Sequence, residues 1–480
     1  MWRLPWSLML VAATGLAAAS CGSSPSPDSL TAKSCTVAGM AARCGTLTVP
    51  ENRLTGKGRT IGVRFVVIPA SGQPRAPDPV VYFAGGPGGS TVQDISSELP
   101  DLLPLNVHRD LVFIEQRGTG QSGPLNCPGF PGLADKAALR ASVESCLARL
   151  HGDLRFYTSA MYADDVSQVL NDLHYAKANF MGISYGTAAE QVFLLRHPGQ
   201  VRTLTMQSGS PLTVPVYERA PGNSQLALDY VFARCESQPA CHRAFPHLSA
   251  DWARLWASLG KSPLVLPAKK SPTGTTVLMD QDALAAAAYN VRYTGNIGPV
   301  PLVVHTMATA RNKAAALAAV IKAYPATPGS GGNQMMFWAI VCGEPWFRDQ
   351  PAALSGQRGS FDYHTDLGVA QYHQYLCPLI PKSAAAVGHQ RLTMSTIPVL
   401  AFNGAADPIE QPRNWAGARK IFPDSRDIAL PYQGHDVNSV SWGVCAGPLT
   451  QNFIEHASVA HLNTSCLASI PATPFDLTVP

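Results

Sequence analysis

The first half of the chain alternates short apolar runs with amphipathic segments. Most of the apolar runs have the length of a buried strand, whereas Tyr162–Leu173 places apolar side chains at helical spacing with Asp164 and Asp165 in its first turn. The pattern predicts strands at Thr46–Pro50, Thr60–Pro69, Pro79–Phe83, Asp110–Glu115, Asn179–Ile183, Val201–Gln207, Ile397–Asn403 and Asp427–Leu430, and helices at Tyr162–Leu173, Tyr185–His197, Arg413–Ile421 and near Leu449–His456. Such alternation is typical of an α/β fold with a mostly parallel central sheet and helices on both faces.

The rhythm changes after Pro211. Helical patterns then follow one another without strands between them, and a Pro/Gly-rich loop at Pro325–Asn333 interrupts them. These helical patterns are Ser224–Arg234, Asp280–Asn290 and Val303–Tyr324. We therefore expect a helical cap at 212–391, inserted between two parts of one core at 35–211 and 392–480.

The composition is that of a folded protein. The 480 residues are 46% hydrophobic and 14% charged, which is ample for a core and argues against disorder. The formal net charge is only +4, and the basic pair Lys269-Lys270 is typical of a solvated loop. No nucleic-acid partner is expected.

The N-terminus is typical of an export signal. Arg3 precedes an apolar run at Leu8–Ala19, which is too short to span a bilayer as a helix, and small residues lead into Cys21. We predict a lipoprotein-type signal at 1–20, with Cys21 acylated and a Ser/Pro-rich tether at 21–34. Membrane association would then occur only through the lipid at Cys21. Ala18 stands where a leucine is usual in such signals, so simple secretion is the alternative.

Cysteine usage supports an oxidising compartment. Of 11 cysteines, ten remain once Cys21 is set aside, and they form five couples of chain neighbours. The couples are Cys35/Cys44, Cys127/Cys146, Cys235/Cys241, Cys342/Cys377 and Cys445/Cys466. Pairing in this order is the simplest expectation, although spacing does not fix connectivity. A zinc site is disfavoured because the sequence has neither a C-x-x-C pair nor an H-E-x-x-H motif.

One motif combines a serine with a strand, a sharp turn and a helix. Gly182-Ile-Ser184-Tyr-Gly186 matches G-x-S-x-G in the context that a nucleophile elbow requires. A side chain at either glycine would collide with the adjoining strand or helix. Ser184 would then stand at the start of a helix, whose free N–H groups favour developing negative charge. In a glycine-rich chain such a match also arises by chance, so the assignment of Ser184 as a nucleophile depends on whether the sequence also contains a suitable base and acid.

A serine nucleophile needs a base, and the base needs an acid that orients it. Asp407 follows a predicted strand, and His435 follows the next one. This is the Ser–Asp–His chain order of α/β-hydrolases. Asp436 is adjacent to His435, but neighbouring residues rarely orient each other's side chains, so Asp407 is the better acid.

Two backbone donors are expected to form an oxyanion hole. Tyr185 follows the nucleophile directly, and Gly86 belongs to a glycine-rich loop, 84–90, after the third predicted strand. A second glycine motif, Gly118-Thr-Gly120-Gln-Ser-Gly123, resembles a dinucleotide fingerprint. Pro124 follows it where such a site needs a helix, so no nucleotide cofactor is expected.

Together these motifs resemble the proline iminopeptidase and tripeptidyl aminopeptidase group of α/β-hydrolases. The resemblance rests on the loop at 85–88, on 115–122, on the Ser184 elbow and on the Asp407 and His435 loops, and it spans roughly residues 37–457. It departs at Ala84, where proline iminopeptidases usually carry a histidine. The exported, cysteine-rich form looks like the tripeptidyl aminopeptidase branch.

The resemblance implies an α/β-hydrolase fold and an exported serine hydrolase that needs no cofactor. Ser184 would be the nucleophile, His435 the base and then acid, Asp407 the orienting group, and Gly86 and Tyr185 the oxyanion hole. The implied substrate is a peptide with a free N-terminus, from which short N-terminal peptides are released. A carboxylesterase or lipase acting on small or cell-envelope esters is the alternative, and a non-catalytic binding protein on the same scaffold is a third.

An aminopeptidase must hold the substrate amine, for which carboxylates in the cap are the natural candidates. They are Glu218, Glu236, Asp282, Glu344, Asp349 and Asp362. Glu344 is favoured because an acid after Cys342 resembles a cap segment of the tripeptidyl branch. A structural or solvated role for Glu344 is the alternative. The nearby aromatic residues Phe337, Trp338, Trp346 and Phe347 are interpreted as cap core rather than as a pocket.

Overall fold

The structure is a computed structural model that describes residues 30–127, 136–325, 333–344, 361, 375–383 and 392–478. The described strands are β1 Leu30–Val37, β2 Met40–Pro50, β3 Thr60–Ile68, β4 Val80–Phe83, β5 Leu111–Ile114, β6 Ala178–Ile183, β7 Val201–Gln207, β8 Leu264–Leu266, β9 Val277–Met279, β10 Val399–Gly404 and β11 Ser425–Leu430. Nine of them form one sheet in the order β1-β2-β3-β5-β4-β6-β7-β10-β11. In this sheet order, every pair of neighbouring strands from β5 to β11 is parallel. The pairs β1–β2, β2–β3 and β3–β5 are antiparallel. The predicted mostly parallel sheet is confirmed.

Helices cover both faces of this sheet. The described helices of the chain, including those between β7 and β10, are α1 Ile95–Leu102, α2 Lys136–Arg149, α3 Ser159–Asp172, α4 Tyr185–Arg196, α5 Val216–Ser237, α6 Pro239–Ala244, α7 Leu248–Lys261, α8 Gln281–Tyr293, α9 Val300–Thr309, α10 Lys313–Ala323, α11 Gln334–Gly343 and α12 Gly447–His456. Ser439–Ser441 and a π-helical turn at Trp442–Ala446 lead into α12.

Alternation along the strands divides the core between the two faces. Phe65 and Val67 of β3 pack with α3 and α4, whereas Val66 and Ile68 pack with α1 and α12. Successive side chains of a strand point to opposite faces, so a sheet with apolar residues in both positions must be covered on both sides. This explains why β4 and β5 are apolar throughout.

The antiparallel edge differs from the predicted tether. Leu30–Val37 forms β1 and pairs with β2, so the segment predicted as a linker at 21–34 is sheet from Leu30 onward. β2 and β3, which contain the predicted strands Thr46–Pro50 and Thr60–Pro69, pair with each other as an antiparallel hairpin. β1 carries few apolar residues because it lies at the edge of the sheet, so the hydrophobic pattern did not predict it as a strand.

The segment between β7 and β10 is mainly helical where the structure describes it, with α5 to α11 lying in this part of the chain. It also contains a small antiparallel hairpin, β8–β9, so the expectation of no strands there was wrong. The predicted helix Arg413–Ile421 was also wrong. That region forms two short 3₁₀ turns, at Pro412–Trp415 and Ala418–Lys420, separated by Gly417 at φ +83°.

All five cysteine couples form disulfides in the predicted order. They are Cys35–Cys44, Cys127–Cys146, Cys235–Cys241, Cys342–Cys377 and Cys445–Cys466. Each joins segments that are near one another in the chain. Among the described residues, no helix is both long and apolar enough to cross a bilayer.

Candidate active site

Ser184 occupies a strained turn between β6 and α4. Its backbone lies at φ +53° and ψ −122°, a conformation that residues with a Cβ rarely adopt. A Cβ on Gly182 would lie 2.5 Å from the Gly186 carbonyl carbon, and one on Gly186 would lie 2.2 Å from the Phe83 carbonyl oxygen. Both glycines are therefore required by close backbone approach, and they hold Ser184 out at the carboxyl edge of the sheet.

Two loops at the same edge bring an acid and an imidazole together. The loop after β10 carries Asp407, and the loop after β11 carries His435. His435 Nδ1 donates to Asp407 Oδ2 at 2.9 Å, and both side chains are buried. The other carboxylate oxygen of Asp407 accepts the N–H groups of Ile409, at 2.8 Å, and Glu410, at 2.9 Å. These bonds fix the carboxylate and hence the tilt of the imidazole.

The far nitrogen of the same ring is left available for proton transfer. His435 Nε2 is buried and has no hydrogen-bond partner among the described residues. Burial lowers the pKa of His435, but the charge of Asp407 and its hydrogen bond raise it more, so the pKa lies above its usual value of 6.5. A neutral imidazole with the proton held on Nδ1 presents Nε2 as an acceptor.

A residue of the segment between β7 and β10 completes this corner of the site. Tyr293, the last residue of α8, stacks its ring on His435 with 4.3 Å between ring centroids. Burial raises the pKa of its hydroxyl, which therefore stays neutral, and the neighbouring Ser184 side chain acts in the opposite direction. The Tyr293 carbonyl oxygen accepts the N–H groups of His435 and Asp436, each at 3.0 Å. Tyr293 could not be predicted from the sequence, since one aromatic residue at a helix end is as typical of a core position as of a functional site.

The glycine-rich loop after β4 lies against the elbow. A Cβ on Gly85 would lie 3.2 Å from Ser184 Cβ, so glycine is needed for this approach. Gly86, at φ +120°, lines the same cavity as Ser184. The loop is held from two sides: Asn333 donates to the Gly88 carbonyl at 3.0 Å, and Ser90 donates to the buried carboxylate of Glu115 at 3.1 Å.

Tyr185 is the first residue of α4, where an N–H points out of the helix end rather than into its hydrogen-bond ladder. Its side chain lies on the other side of the site. The Tyr185 hydroxyl accepts from Gln116 at 2.8 Å and shares a hydrogen bond of 2.6 Å with Ser159. The N–H groups of Gly86 and Tyr185 thus stand on the two backbone segments that flank Ser184.

A cavity of about 280 Å³ opens onto Ser184 and His435. One wall is apolar and consists of Ala188, Leu212, Val214, Val216, Phe337 and Ile409. Tyr289 and Tyr293, stacked at 5.7 Å, form another. Among the described lining residues the one carboxylate is that of Glu410, which is 8% exposed. Burial raises its pKa to about 7.

The part of the chain that carries this site matches a known protein family. A sequence profile described as the alpha/beta hydrolase fold matches residues 78–440. The chain belongs to the α/β-hydrolase family. The matched region contains the elbow, the glycine-rich loop and both loops that carry Asp407 and His435, and the predicted fold class is confirmed.

Individual relatives of this α/β-hydrolase are more distant. A tripeptidyl aminopeptidase of Streptomyces coelicolor is 26% identical over 251 residues, which are 46% of this chain and 46% of that protein. One of Streptomyces lividans is also 26% identical over 251 residues, 46% of this chain and 47% of its own. The match spans less than half the length of each of these relatives. The crystal structure of a proline iminopeptidase from Mycobacterium smegmatis has 15% identity and a TM-score of 0.40, covering 86% of this chain and 99% of its own.

The structure of this α/β-hydrolase does not bring Glu344 to the cavity. Its carboxylate is 2% exposed and accepts the N–H of Ser159 at 2.6 Å and the Ser159 hydroxyl at 2.8 Å. Ser159 begins α3, so Glu344 neutralises the positive end of that helix. The expectation that Glu344 binds a substrate amine does not fit this placement. The sequence feature that pointed to Glu344, an acid after Cys342, does not distinguish a carboxylate that bonds to a helix end from one that binds a substrate.

The other residues named from the sequence are placed as follows. Among the described lining residues, the only one of the four aromatic candidates at the cavity is Phe337, while Trp338 is buried in the core. Glu236 and Asp282 do not line the cavity. Cys21, Trp346, Phe347, Asp349 and Asp362, and the side chain of Glu218, lie outside the described residues. Within the described ranges, no group of three or more His, Cys, Asp and Glu side chains is arranged to hold a metal.

Proposed function

We propose that this α/β-hydrolase is an exported serine hydrolase that cleaves short N-terminal peptides from oligopeptides through an acyl-enzyme. The observation that carries the proposal is the His435–Asp407 hydrogen bond of 2.9 Å beside a cavity that also exposes Ser184. An imidazole held by a buried carboxylate on one nitrogen and open on the other is the general base that a serine needs.

The chemistry begins at the serine hydroxyl. Ser184 Oγ attacks the scissile carbonyl carbon and passes its proton to His435 Nε2. Asp407 keeps the other proton on Nδ1 and stabilises the imidazolium. The N–H groups of Gly86 and Tyr185 bind the oxyanion of the tetrahedral intermediate.

Collapse of that intermediate breaks the C–N bond. His435 returns its proton to the departing amine, which leaves an ester between Ser184 and the acyl part of the substrate. Water then attacks the ester with His435 acting again as base, and the acid product and free Ser184 are regenerated.

Two considerations support an aminopeptidase. The curated relatives named tripeptidyl aminopeptidase share 26% identity with this chain, although over less than half of their length. The cavity that opens onto Ser184 also contains a carboxylate, which suits a substrate with a free amine. The number of residues released follows from the distance between the amine site and Ser184, and the product of a substrate panel measures it.

A carboxylesterase is the second candidate, because the apolar wall that includes Leu212 and Val214 suits an acyl chain as well as a peptide side chain. A matched panel separates the two. It contains amino-acid, dipeptide and tripeptide anilides with free N-termini, the same compounds N-acetylated, and short acyl esters. Hydrolysis confined to free-amine anilides supports the aminopeptidase, and indifference to the amine assigns the protein to the esterases.

The nucleophile is tested with the same panel. Ser184→Ala is expected to abolish turnover of every compound and to prevent covalent labelling by a fluorophosphonate, with the thermal melting curve unchanged. Substantial residual turnover by the variant, or label on another serine, would contradict the proposed mechanism.

We also propose export and anchoring at the cell envelope. Five disulfides suit an extracellular protein, and the signal proposed at 1–20 places Cys21 at the new N-terminus. Cys21→Ser should move the protein from the membrane fraction to the medium if Cys21 is acylated. Wild-type protein already in the medium would indicate simple secretion.

A further inference from the structure

Glu410 is a carboxylate fixed in the substrate cavity on the same loop as Asp407. Its Oε2 accepts hydrogen bonds from the Ser210 hydroxyl and from Asn414 Nδ2, the latter at 3.2 Å. Its own N–H donates to Asp407 Oδ1 at 2.9 Å. Glu410 is therefore held in place relative to the catalytic groups from both its backbone and its side chain.

One oxygen of this carboxylate remains for a ligand. The hydrogen bonds that the described residues donate to the Glu410 carboxylate are all accepted by Oε2. Oε1 accepts none of them, and it is not one of the fully buried polar atoms that lack a partner. Since Glu410 lines the cavity, Oε1 is the oxygen that a bound molecule can reach.

Among the described residues that line the cavity, no lysine or arginine balances the charge of Glu410. The titratable groups that face Glu410 are Asp407 on its own loop, His435 from the loop after β11, and Tyr293 from α8. Asp407 and the neutral Tyr293 supply no positive charge, and the proton of His435 is needed for catalysis. A buried carboxylate without a protein cation favours a cationic ligand.

We propose that Glu410 Oε1 binds the protonated α-amino group of the substrate and makes the enzyme select free N-termini. The inference rests on the proposed aminopeptidase function and names the residue that confers its specificity. It gives Glu410 the role that the sequence had suggested for Glu344. The length of the released peptide is then set by the span between Glu410 and Ser184.

The first test compares two isosteric variants of two buried glutamates. Burial raises the pKa of both Glu410 and Glu344 to about 7, yet only Glu410 lines the cavity. For each variant, kcat/KM is measured on a free-amine anilide and on its N-acetylated counterpart, and their ratio is the selectivity. Glu410→Gln is expected to lower the ratio about 10- to 100-fold, chiefly through KM of the free-amine substrate, because a charge-assisted bond is lost.

Glu344→Gln is the matched control and is expected to leave the ratio unchanged, whatever its effect on both rates. A ratio that falls in Glu344→Gln, or that survives in Glu410→Gln, overturns the role of Glu410 while the aminopeptidase proposal stands. A wild-type enzyme that does not distinguish free from acetylated substrates overturns the aminopeptidase proposal itself, and the role of Glu410 with it.

The second test needs no variant and therefore does not depend on how a mutant folds. The ratio is measured against pH with the wild-type protein. Titration of His435 changes kcat/KM of both substrates by the same factor, so it cancels in their ratio. Below about pH 7 Glu410 becomes protonated and loses its charge, whereas above about pH 8 the peptide amine loses its own proton. The ratio should pass through a maximum between these values, and a ratio that does not fall on the acid side overturns the proposal.

Discussion

The ring of Tyr293 lies on the imidazole of His435, with 4.3 Å between ring centroids and 25° between ring planes. The hydroxyl of the same residue neighbours the Ser184 side chain, and its carbonyl accepts the backbone N–H of His435. One residue at the end of α8 therefore adjoins both the proposed nucleophile and the proposed base. The helix that carries it belongs to the segment between β7 and β10, so the position of that segment and the geometry of the triad depend on each other.

Tyr293→Phe should lower kcat about 2- to 10-fold, because it removes the hydroxyl beside Ser184 and keeps the stacked ring. Tyr293→Ala should lower kcat about 10- to 100-fold, since the stack on His435 is also lost. The measurement is kcat and KM on a short ester, with KM expected to change less than kcat. Tyr324→Phe is the control, because that hydroxyl bonds Asp476 and does not line the cavity. Equal losses in Tyr293→Phe and Tyr324→Phe would rule out a specific role for Tyr293.

Gly186→Ala should remove activity and lower stability by about 1–3 kcal/mol, because the new Cβ would lie 2.2 Å from the Phe83 carbonyl oxygen. Thermal unfolding and ester hydrolysis measure the two effects. Gly199→Ala is the matched control: the same methyl group would meet nothing within 4 Å, in the turn after α4. A Gly186→Ala protein as stable and as active as Gly199→Ala would show that the elbow is not tightly packed.

The pH dependence of kcat/KM should report on His435. The base must be neutral, so the rate falls as pH drops through its pKa, which Asp407 raises above 6.5. Asp407→Asn removes that effect while burial still lowers the pKa, so the acid limb should move to lower pH. At the same time kcat should fall by about 10⁴-fold.

Asp436→Asn serves as the comparison for this variant. Asp436 also raises the pKa of His435, but it contributes less than Asp407 and makes no hydrogen bond to the ring among the described residues. A smaller shift of the acid limb and a much smaller loss of kcat are expected. If the two variants behaved alike, Asp407 would not be the orienting acid.

Removing the Cys342–Cys377 disulfide by paired Cys→Ser substitutions should destabilise the protein more than removing Cys235–Cys241. The sequence separations are 35 and 6 residues, and the chain-entropy account gives about 4 and about 2 kcal/mol. Denaturant unfolding of the two double variants measures the difference. The reverse order would indicate that the contacts around α6 outweigh loop entropy.

Much of the fold was predictable because the central strands are apolar on both faces. A buried parallel strand such as β4 or β5 has no polar residue to obscure it. The elbow was predictable for a related reason, because its glycines are demanded by backbone contacts within a few residues of Ser184. Asp407 and His435 could be located from chain order alone.

Features that depend on distant contacts could not be predicted. Tyr293 acquires its place only when α8 packs on the loop after β11. Glu410 was overlooked because amine-binding carboxylates were sought in the cap, whereas it follows Asp407 on the core loop. Conversely, Glu344 was chosen for its position after Cys342, and its partner Ser159 is 185 residues away in sequence.

The order of the disulfides has a consequence for how the protein matures. The ten paired cysteines form five bonds, each between two consecutive cysteines of the chain, with sequence separations of 6 to 35 residues. In a chain that crosses a membrane N-terminus first, every cysteine therefore meets its correct partner before a later competitor emerges. With the Cys21 thiol acylated as proposed, an oxidase that joins the remaining thiols in the order of their arrival suffices, and the chain does not depend on an isomerase to correct mispaired bonds.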